Sequence, residues 1–328
     1  MEGDTYWNIS MHFFYIAVGL IIFKLYNSIT KGKFDSKRRL DGQVIIVTGA
    51  SRGMGKFAAT DFAKRGAKVI LAGVDFKELN EAKDEIIELS GNQNIVAKHL
   101  DLASFQSVRN FAKDILKTEH RLDVLVNNAG VNCLLNKKTD DGIHIGLQVN
   151  HFGHFLLTNL LIGLLKKSAP SRIIHISSML HLIGNIDFDD LKGVETKKID
   201  LQYYPDSKLS ILVGSNEFSR RLEGTGVTSN SLHPGAVKTD IFMGNQNIII
   251  ALFWKMFFGI FCKTVEQGTQ TTIYLAVSDD VKYDSGKYYA DCKESTWKKT
   301  IANNKEVGKK FFERCCDIVG LKPEERLI

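Results

Sequence analysis

The chain predicts an α/β fold: one doubly wound parallel sheet in a single domain, preceded by an N-terminal membrane anchor helix. Three observations carry this expectation. Residues 6–26 form a mostly apolar stretch just ahead of a basic cluster. From Gly42 onward, short β-branched runs alternate with helical patterns, as βαβ units do. Between the first such run and the first helical pattern stands TGASRGMG, residues 48–55.

The totals agree with one large domain. Of 328 residues, 44% are hydrophobic and 24% charged, and with only 4 prolines no proline-rich linker divides the chain. The net charge of +6 is mild. Much of it gathers at Lys31, Lys33, Lys37, Arg38 and Arg39. A nucleic-acid reader would carry a broader basic face, so no nucleic-acid partner is expected. Five cysteines, Cys133, Cys262, Cys292, Cys315 and Cys316, form no CxxC pair. An odd number in so large a chain argues against a disulfide framework and for reduced thiols facing the cytosol. His151 and His154 lie three apart, but no second pair with ligand spacing accompanies them. No metal site is expected.

The N-terminal stretch reads YWNISMHFFYIAVGLIIFKLY. As a helix it would run about 30 Å, a bilayer core, with Trp7 and Tyr26 near the two interfaces. A cleaved signal peptide would begin with basic residues and end at small ones. This chain begins with Glu2 and Asp4 and shows neither feature. A retained anchor over residues 1–30 is the better reading, with residues 31–40 a basic linker. The basic flank keeps the following domain, residues 41–320, in the cytosol, on the endoplasmic reticulum or another intracellular membrane. A second apolar run, residues 248–262, would span about 22 Å and is too short to cross. It fits either a buried core helix or a segment lying against the membrane interface, and the second is taken here.

Residues 44–47 are apolar and β-branched, as a buried parallel strand should be. Thr48, Gly49, Gly53 and Gly55 follow in the order T-G-x-x-x-G-x-G, then a helix pattern to Arg65 and a second strand over residues 68–71. Glycines there let the chain turn sharply and bring backbone N–H groups to a pyrophosphate at a helix N-terminus. The strand–turn–helix setting makes this a Rossmann-type unit. VAKHLDLAS places Asp101 at one strand end, and LDVLVNNAG places Asn127, Asn128, Ala129 and Gly130 at another. The carboxyl ends of strands are where an open α/β sheet binds its ligand.

YYPDSK, residues 203–208, holds the acid–base candidate. Tyr204 and Lys208 are four apart and share a helix face, whereas Tyr203 is spaced four from Ser207. A lysine ammonium favours the phenolate and brings Tyr204 toward proton exchange near neutral pH. Tyr203 is assigned to packing. Pro205 is expected in the first helical turn, where its missing N–H is tolerated.

Together these motifs resemble the short-chain dehydrogenase/reductase family: TGASRGMG, NNAG, the serines of IIHISSML and Tyr-x-x-x-Lys, in family order over residues 40–320. LQVNHFGHFLLT, LHPGAVKTDI, EQGTQTTIYLA and the anchor are similar to its retinol dehydrogenase branch. The resemblance implies Asn150, Ser178, Tyr204 and Lys208 as the catalytic set. Ser178 is chosen over Ser177, Asn150 supports a water relay, and Lys208 also binds the nicotinamide ribose. It implies a nucleotide shell of Thr48, Gly49, Ser51, Arg52, Gly53, Met54, Gly55, Asp101, Leu102, Asn128, Ala129 and Gly130, completed by Pro234, Gly235, Val237 and Thr239. It also implies a lipophilic alcohol or carbonyl as substrate, retinoid first, with steroids and lipid aldehydes as alternatives. A catalytically silent nucleotide-binding regulator is the alternative of another class, and such a protein has no need of all four catalytic residues.

An NAD enzyme places an acid at the end of the second strand to hold the ribose 2′-hydroxyl. Here Gly73 occupies that place, and Arg52 is within reach of a 2′-phosphate. NADP(H) is favoured. Val74, where NADP-preferring relatives carry arginine, and Asp75 nearby keep NAD(H) possible.

Overall fold

The computed structural model describes residues 15, 18–19, 21–22, 25, 31–132, 137–194, 200–237 and 262–328. Most of the anchor segment, Cys133, Thr239 and residues 248–261 lie outside the described residues. Among the described residues no helix is long and apolar enough to cross a membrane.

Among the described residues eight strands form one sheet in the order β3-β2-β1-β4-β5-β6-β7-β8. They are β1 (Val44–Thr48), β2 (Lys68–Gly73), β3 (Ile95–His99), β4 (Val124–Asn127), β5 (Ser171–Ile176), β6 (Val227–Leu232), β7 (Tyr288–Ala290) and β8 (Lys293–Glu294). The first seven are parallel, which bears out the expected sheet. The two-residue β8 runs antiparallel to β7 and corrects the all-parallel expectation. Asp291 and Cys292 turn that hairpin with φ of 50° and 59°, the left-handed pair that a two-residue turn needs.

Alternating strand residues feed two apolar cores, because successive side chains point to opposite faces. Ile45 and Val47 pack with α1 (Gly53–Lys64), α2 (Phe76–Ser90) and, later in the chain, the helix Val265–Val277. Ile46 lies on the other face with α3 (Phe105–Thr118), α4 (Gly153–Lys167), α5 (Asp200–Arg221) and the helix Lys305–Ile318. The last two helices are α6 (Val265–Val277) and α7 (Lys305–Ile318). Sheet order reverses between β1 and β4, and a crevice outside the strand ends is expected at such a reversal. The glycine loop leaves one of these strands and NNAG the other.

Residues 31–40, the basic linker, pack along the domain. They run as an extended strap with alternating exposure: Gly32, Phe34, Ser36 and Arg38 face inward, and Lys31, Lys33, Lys37 and Arg39 face out. Phe34 sets its ring edge-on to Tyr274 of α6 at 5.4 Å, and its N–H donates to Gln270 Oε1 at 3.0 Å. Arg38 donates to the Val277 carbonyl at 2.7 Å and pairs with Asp279. Part of the basic cluster therefore binds the strap to the domain, and the rest faces solvent.

Candidate active site

Gly49 and Gly53 adopt φ of +64° and +58°. A Cβ on Gly49 would meet Ala129 Cα at 2.9 Å, and one on Gly55 would meet the Gly49 carbonyl oxygen at 2.2 Å. Only glycine permits this close approach of loop, helix and neighbouring strand. Thr48 is fully buried, and its hydroxyl accepts the N–H groups of Asn128 and Ala129, both at 2.9 Å. Asn128 Nδ2 donates to the Thr48 carbonyl at 2.8 Å and the Gly49 carbonyl at 3.3 Å. These two side chains lash the ends of β1 and β4 together. Thr48 and Asn128 thus shape the cradle from behind, which their assignment to the nucleotide shell did not anticipate.

The first turn of α1 holds no acid, and its N-cap residue, Arg52, makes no side-chain capping bond. The helix therefore presents N–H groups that its N-cap side chain does not occupy, and the positive end of its dipole, at the end of β1. That arrangement, with glycines where a Cβ would intrude, fits a dinucleotide phosphate. Arg52 is exposed, and Ser51 donates to Glu78 Oε2 at 3.2 Å. Asp75 is the N-cap of α2, and its carboxylate accepts the N–H groups of Lys77 and Glu78 at 2.9 and 3.0 Å. Asp101 accepts from Ala103 N–H at 2.8 Å. The Leu102 side chain belongs to the core and packs on Gly153, so it offers a ligand little but its backbone.

Ser177 and Ser178 follow β5, and the structure separates them. Ser177 is buried and donates to the Lys208 carbonyl at 2.8 Å. Ser178 is half-buried and accepts from Leu180 N–H at 3.2 Å, leaving its own proton for another acceptor. Tyr203 and Tyr204 divide in the same way. Tyr203 is 2% exposed and stacks on His144 at 4.0 Å between ring centroids. Tyr204 is half-buried, with Lys208 Nζ 5.4 Å from its ring centroid. Lys208 Nζ donates to the Ile176 carbonyl at 3.0 Å, which fixes the ammonium beside the end of β5.

Asn150 lies in a π-helical turn, Gln148–Phe152, leading into α4. Such turns recur at functional sites. Its side chain accepts from Val131 N–H at 2.8 Å, and donates to the Val131 carbonyl and to Ser207 Oγ, both at 3.0 Å. A Cβ on Gly130 would lie 3.4 Å from Asn150 Oδ1 and 3.6 Å from Lys208 Nζ. Gly130, Asn150 and Lys208 therefore meet at one point, beside the loop that Thr48 ties to the glycine cradle.

Pro205 is the sixth residue of α5, not part of its first turn. The helix begins earlier than expected, and Pro205 removes one of its hydrogen bonds. The loop after Ser178 packs there. A Cβ on Gly184 would be 2.3 Å from the Pro205 carbonyl oxygen, and Asn185 N–H donates to Asp206 Oδ1 at 2.7 Å. This loop starts with a short 3-10 turn, Met179–Ile183. His181 faces inward while Met179, Leu180, Leu182 and Ile183 are 39–64% exposed, an apolar ridge just past Ser178.

On the far side, Gly235 has φ of +82°, and Val237 packs against Gly268 of α6 close to Met54 of the glycine loop. This joins Gly235 and Val237 to the cradle, with Pro234 between His233 and Gly235. Sequence reasoning missed the bonds that the polar groups behind the site make. His154 Nε2 is 2.8 Å from Thr48 Oγ1, and Asn127 Nδ2 donates to Thr158 Oγ1 at 3.0 Å and lies 3.2 Å from His175 Nδ1. His151 Nε2 is 3.4 Å from Cys315 Sγ, so the histidine pair considered for metal serves the core. Burial pushes His154 down to about 4 and His151 and His175 to about 3. No motif announces Thr158 or His175, because each is one polar position within an apolar run.

Residues 43–247 match the family model for short chain dehydrogenase. Retinol dehydrogenase 11 of Mus musculus is 39% identical over 302 residues, covering 92% of this chain and 94% of that protein. Retinol dehydrogenase 13 of Homo sapiens is 39% identical over 315 residues, 94% of this chain and 93% of its own. Retinol dehydrogenase 14 of Mus musculus is 44% identical over 269 residues, 78% and 79% of the two chains. Among solved structures, an uncharacterised protein from Mycobacterium paratuberculosis superposes with a TM-score of 0.69 at 25% identity, covering 86% of this chain and 95% of that one. A short chain dehydrogenase from Shigella flexneri, solved with NADP, superposes at 0.61 with 23% identity, over 79% of this chain and 100% of its own. The chain belongs to the short-chain dehydrogenase family, in the branch that resembles the retinol dehydrogenases.

Proposed function

We propose that this protein is a membrane-anchored oxidoreductase that moves hydride between NADP(H) and a lipophilic alcohol or carbonyl, with retinol and retinal as the leading pair. The observation that carries the reading is the half-buried Tyr204 with Lys208 beneath its ring, on the helix against which the loop after Ser178, with its exposed apolar ridge, packs at Pro205. The relatives named above are retinol dehydrogenases, which supports a retinoid substrate.

A bound nicotinamide dinucleotide supplies or accepts the hydride. The cradle at Gly49, Gly53 and Gly55 and the α1 N-terminus would hold its phosphates, with Arg52 toward the adenosine end. During reduction, negative charge grows on the substrate oxygen, and the Ser178 and Tyr204 hydroxyls donate to it. Tyr204 then passes its proton to that oxygen. The Lys208 ammonium offsets the negative charge left on the ring. Asn150 holds the loop after β4 against α5 through Val131 and Ser207, which keeps Gly130 and Lys208 in register. The ridge at Met179, Leu180, Leu182 and Ile183 offers apolar surface to a hydrocarbon tail.

The apolar N-terminal run and the outward lysines of the strap support anchoring with the domain on the cytosolic face. Membranes carrying the protein are expected to reduce all-trans-retinal faster than steroids or short lipid aldehydes of equal concentration. The domain is expected to be digested when protease is added to sealed microsomes. A steroid preferred over every retinoid would move the substrate class. Full protection would reverse the topology.

A further inference from the structure

We propose that the ion pair between Lys263 and Asp291 is a latch: it positions the loop of residues 233–237 and ties that loop to the strap that follows the N-terminal apolar segment. This rests on the reading that residues 234–237 flank a bound nicotinamide.

Lys263 stands just before α6 and is 5% exposed. Its backbone N–H donates to the Ala236 carbonyl at 2.7 Å, and Lys263 and Val237 form a parallel bridge. Its side chain lies over Gly235, where a Cβ would meet Nζ at 2.9 Å and Cε at 3.0 Å. The lysine therefore covers the loop through backbone and stem at once, and Gly235 is needed for it to fit. A buried ammonium needs a partner, and Asp291 provides it.

Asp291 is held for this task. It begins the β7–β8 turn at φ 50°, a conformation that aspartate tolerates and bulkier residues resist. The next N–H, of Cys292, donates to Thr271 Oγ1 of α6 at 3.1 Å, which fixes the turn against the helix that Lys263 precedes. The same carboxylate oxygen that meets Lys263 also accepts Gly32 N–H of the strap at 3.3 Å. Gly32 lies flat on the turn, where a Cβ would fall 2.2 Å from the Asp291 carbonyl carbon. One carboxylate thus joins three segments far apart in sequence: strap, loop and hairpin.

A positioning role predicts a selective defect. Asp291→Asn keeps the shape and tolerates the left-handed backbone, while it removes the charge. Lys263→Met keeps the stem and removes the ammonium. In each variant, affinity for whichever of NADPH and NADH the wild type binds is expected to fall about tenfold, the scale of one charge-assisted hydrogen bond. Affinity for the matching adenosine half, 2′,5′-ADP or ADP, is expected to stay the same, because the latch lies beyond its reach. Gly32→Ala should move the ratio of the two affinities in the same direction, by less. If the wild type binds neither dinucleotide, the nucleotide reading itself fails. If it binds one, and both charge variants keep the wild-type ratio or weaken whole and half ligand equally, the latch is overturned. A Gly32→Ala protein with an unchanged ratio would remove the strap from it.

Discussion

On the β1 side of the switch point the site is made of backbone: glycines at positive φ, helix N–H groups without a side-chain cap, and a loop lashed from behind by Thr48 and Asn128. On the β5 side it is made of side chains, and adjacent residues of the same type take different jobs. Ser177 bonds to the Lys208 carbonyl while Ser178 is half-buried and accepts from Leu180 N–H. Tyr203 stacks in the core while Tyr204 sits over Lys208. Asn127 and Asn128, at the boundary, divide likewise, one turned to Thr158 and one to the glycine loop. Residue type alone assigns neither member of a pair. The phase of the strand or helix decides which side chain turns inward.

The tyrosine pair gives the largest test of this contrast. Tyr204→Phe is expected to lower kcat by about 10³-fold or more, since on the proposed function it removes the general acid–base group, and to leave nucleotide affinity intact. Tyr203→Phe retains the ring that stacks on His144, so its kcat should remain near wild type. Steady-state rates with the same substrate check both, and equal losses would show that exposure does not separate the two residues.

The serine pair should divide less sharply. On the proposed function Ser178→Ala removes one donor to the developing oxyanion, and a kcat loss of about 10²-fold is expected. Ser177→Ala leaves the buried Lys208 carbonyl without that donor, at about 1–2 kcal/mol of stability. Thermal melts and kcat measured on both variants would show one losing rate and the other losing stability.

The side-chain half also brings buried histidines into the core, which makes stability depend on pH. Burial lowers His154 from 6.5 to about 4, and His151 and His175 to about 3. Between these values and 6.5 the unfolded chain binds more protons than the folded protein. Their contribution is therefore complete above pH 6.5 and is lost as pH falls toward 4 and then 3. The melting temperature is expected to drop steadily below pH 6.5, and His154→Gln should flatten the slope. A melting temperature constant from pH 7 to 4.5 would contradict the burial of these rings as neutral groups.

How much of this was legible follows from the same contrast. Glycines that must adopt positive φ or admit a neighbouring backbone mark the sequence openly, so the cradle between β1 and its helix could be read. Tyr204 could be read because a four-residue spacing to Lys208 is a statement about one helix face. Ser178 needed the family resemblance, because the phase of β5 at its end is not fixed by SS alone. The start of α5 was misplaced, since Pro205 looks like an N-terminal signal and tertiary packing against Gly184 accommodates it further in. The strap was read only as charge. Its inward members, Gly32, Phe34, Ser36 and Arg38, have no common chemistry, and their partners lie as much as 259 residues away. No local pattern encodes such contacts.

Cofactor choice tests the backbone half, where few side chains intervene and the smallest effects are expected. Gly73 offers no acid at the end of β2, and the nearest one, Asp75, already accepts two N–H groups as the cap of α2. Turning it toward a ribose would uncap that helix, at about 1 kcal/mol. Arg52 is exposed at the α1 N-terminus, where a 2′-phosphate would find both its guanidinium and the helix dipole. Glu78 opposes this. It reaches the same loop through Ser51, and its charge repels a phosphate there. Arg52→Ala is therefore expected to lower kcat/KM for NADPH about tenfold and to leave NADH nearly unchanged. Glu78→Gln should raise the NADPH-to-NADH ratio by about two- to fivefold, an effect of a half-buried charge that weakens with added salt. A wild type that prefers NADH, with a ratio that neither substitution moves, would place cofactor choice outside this loop.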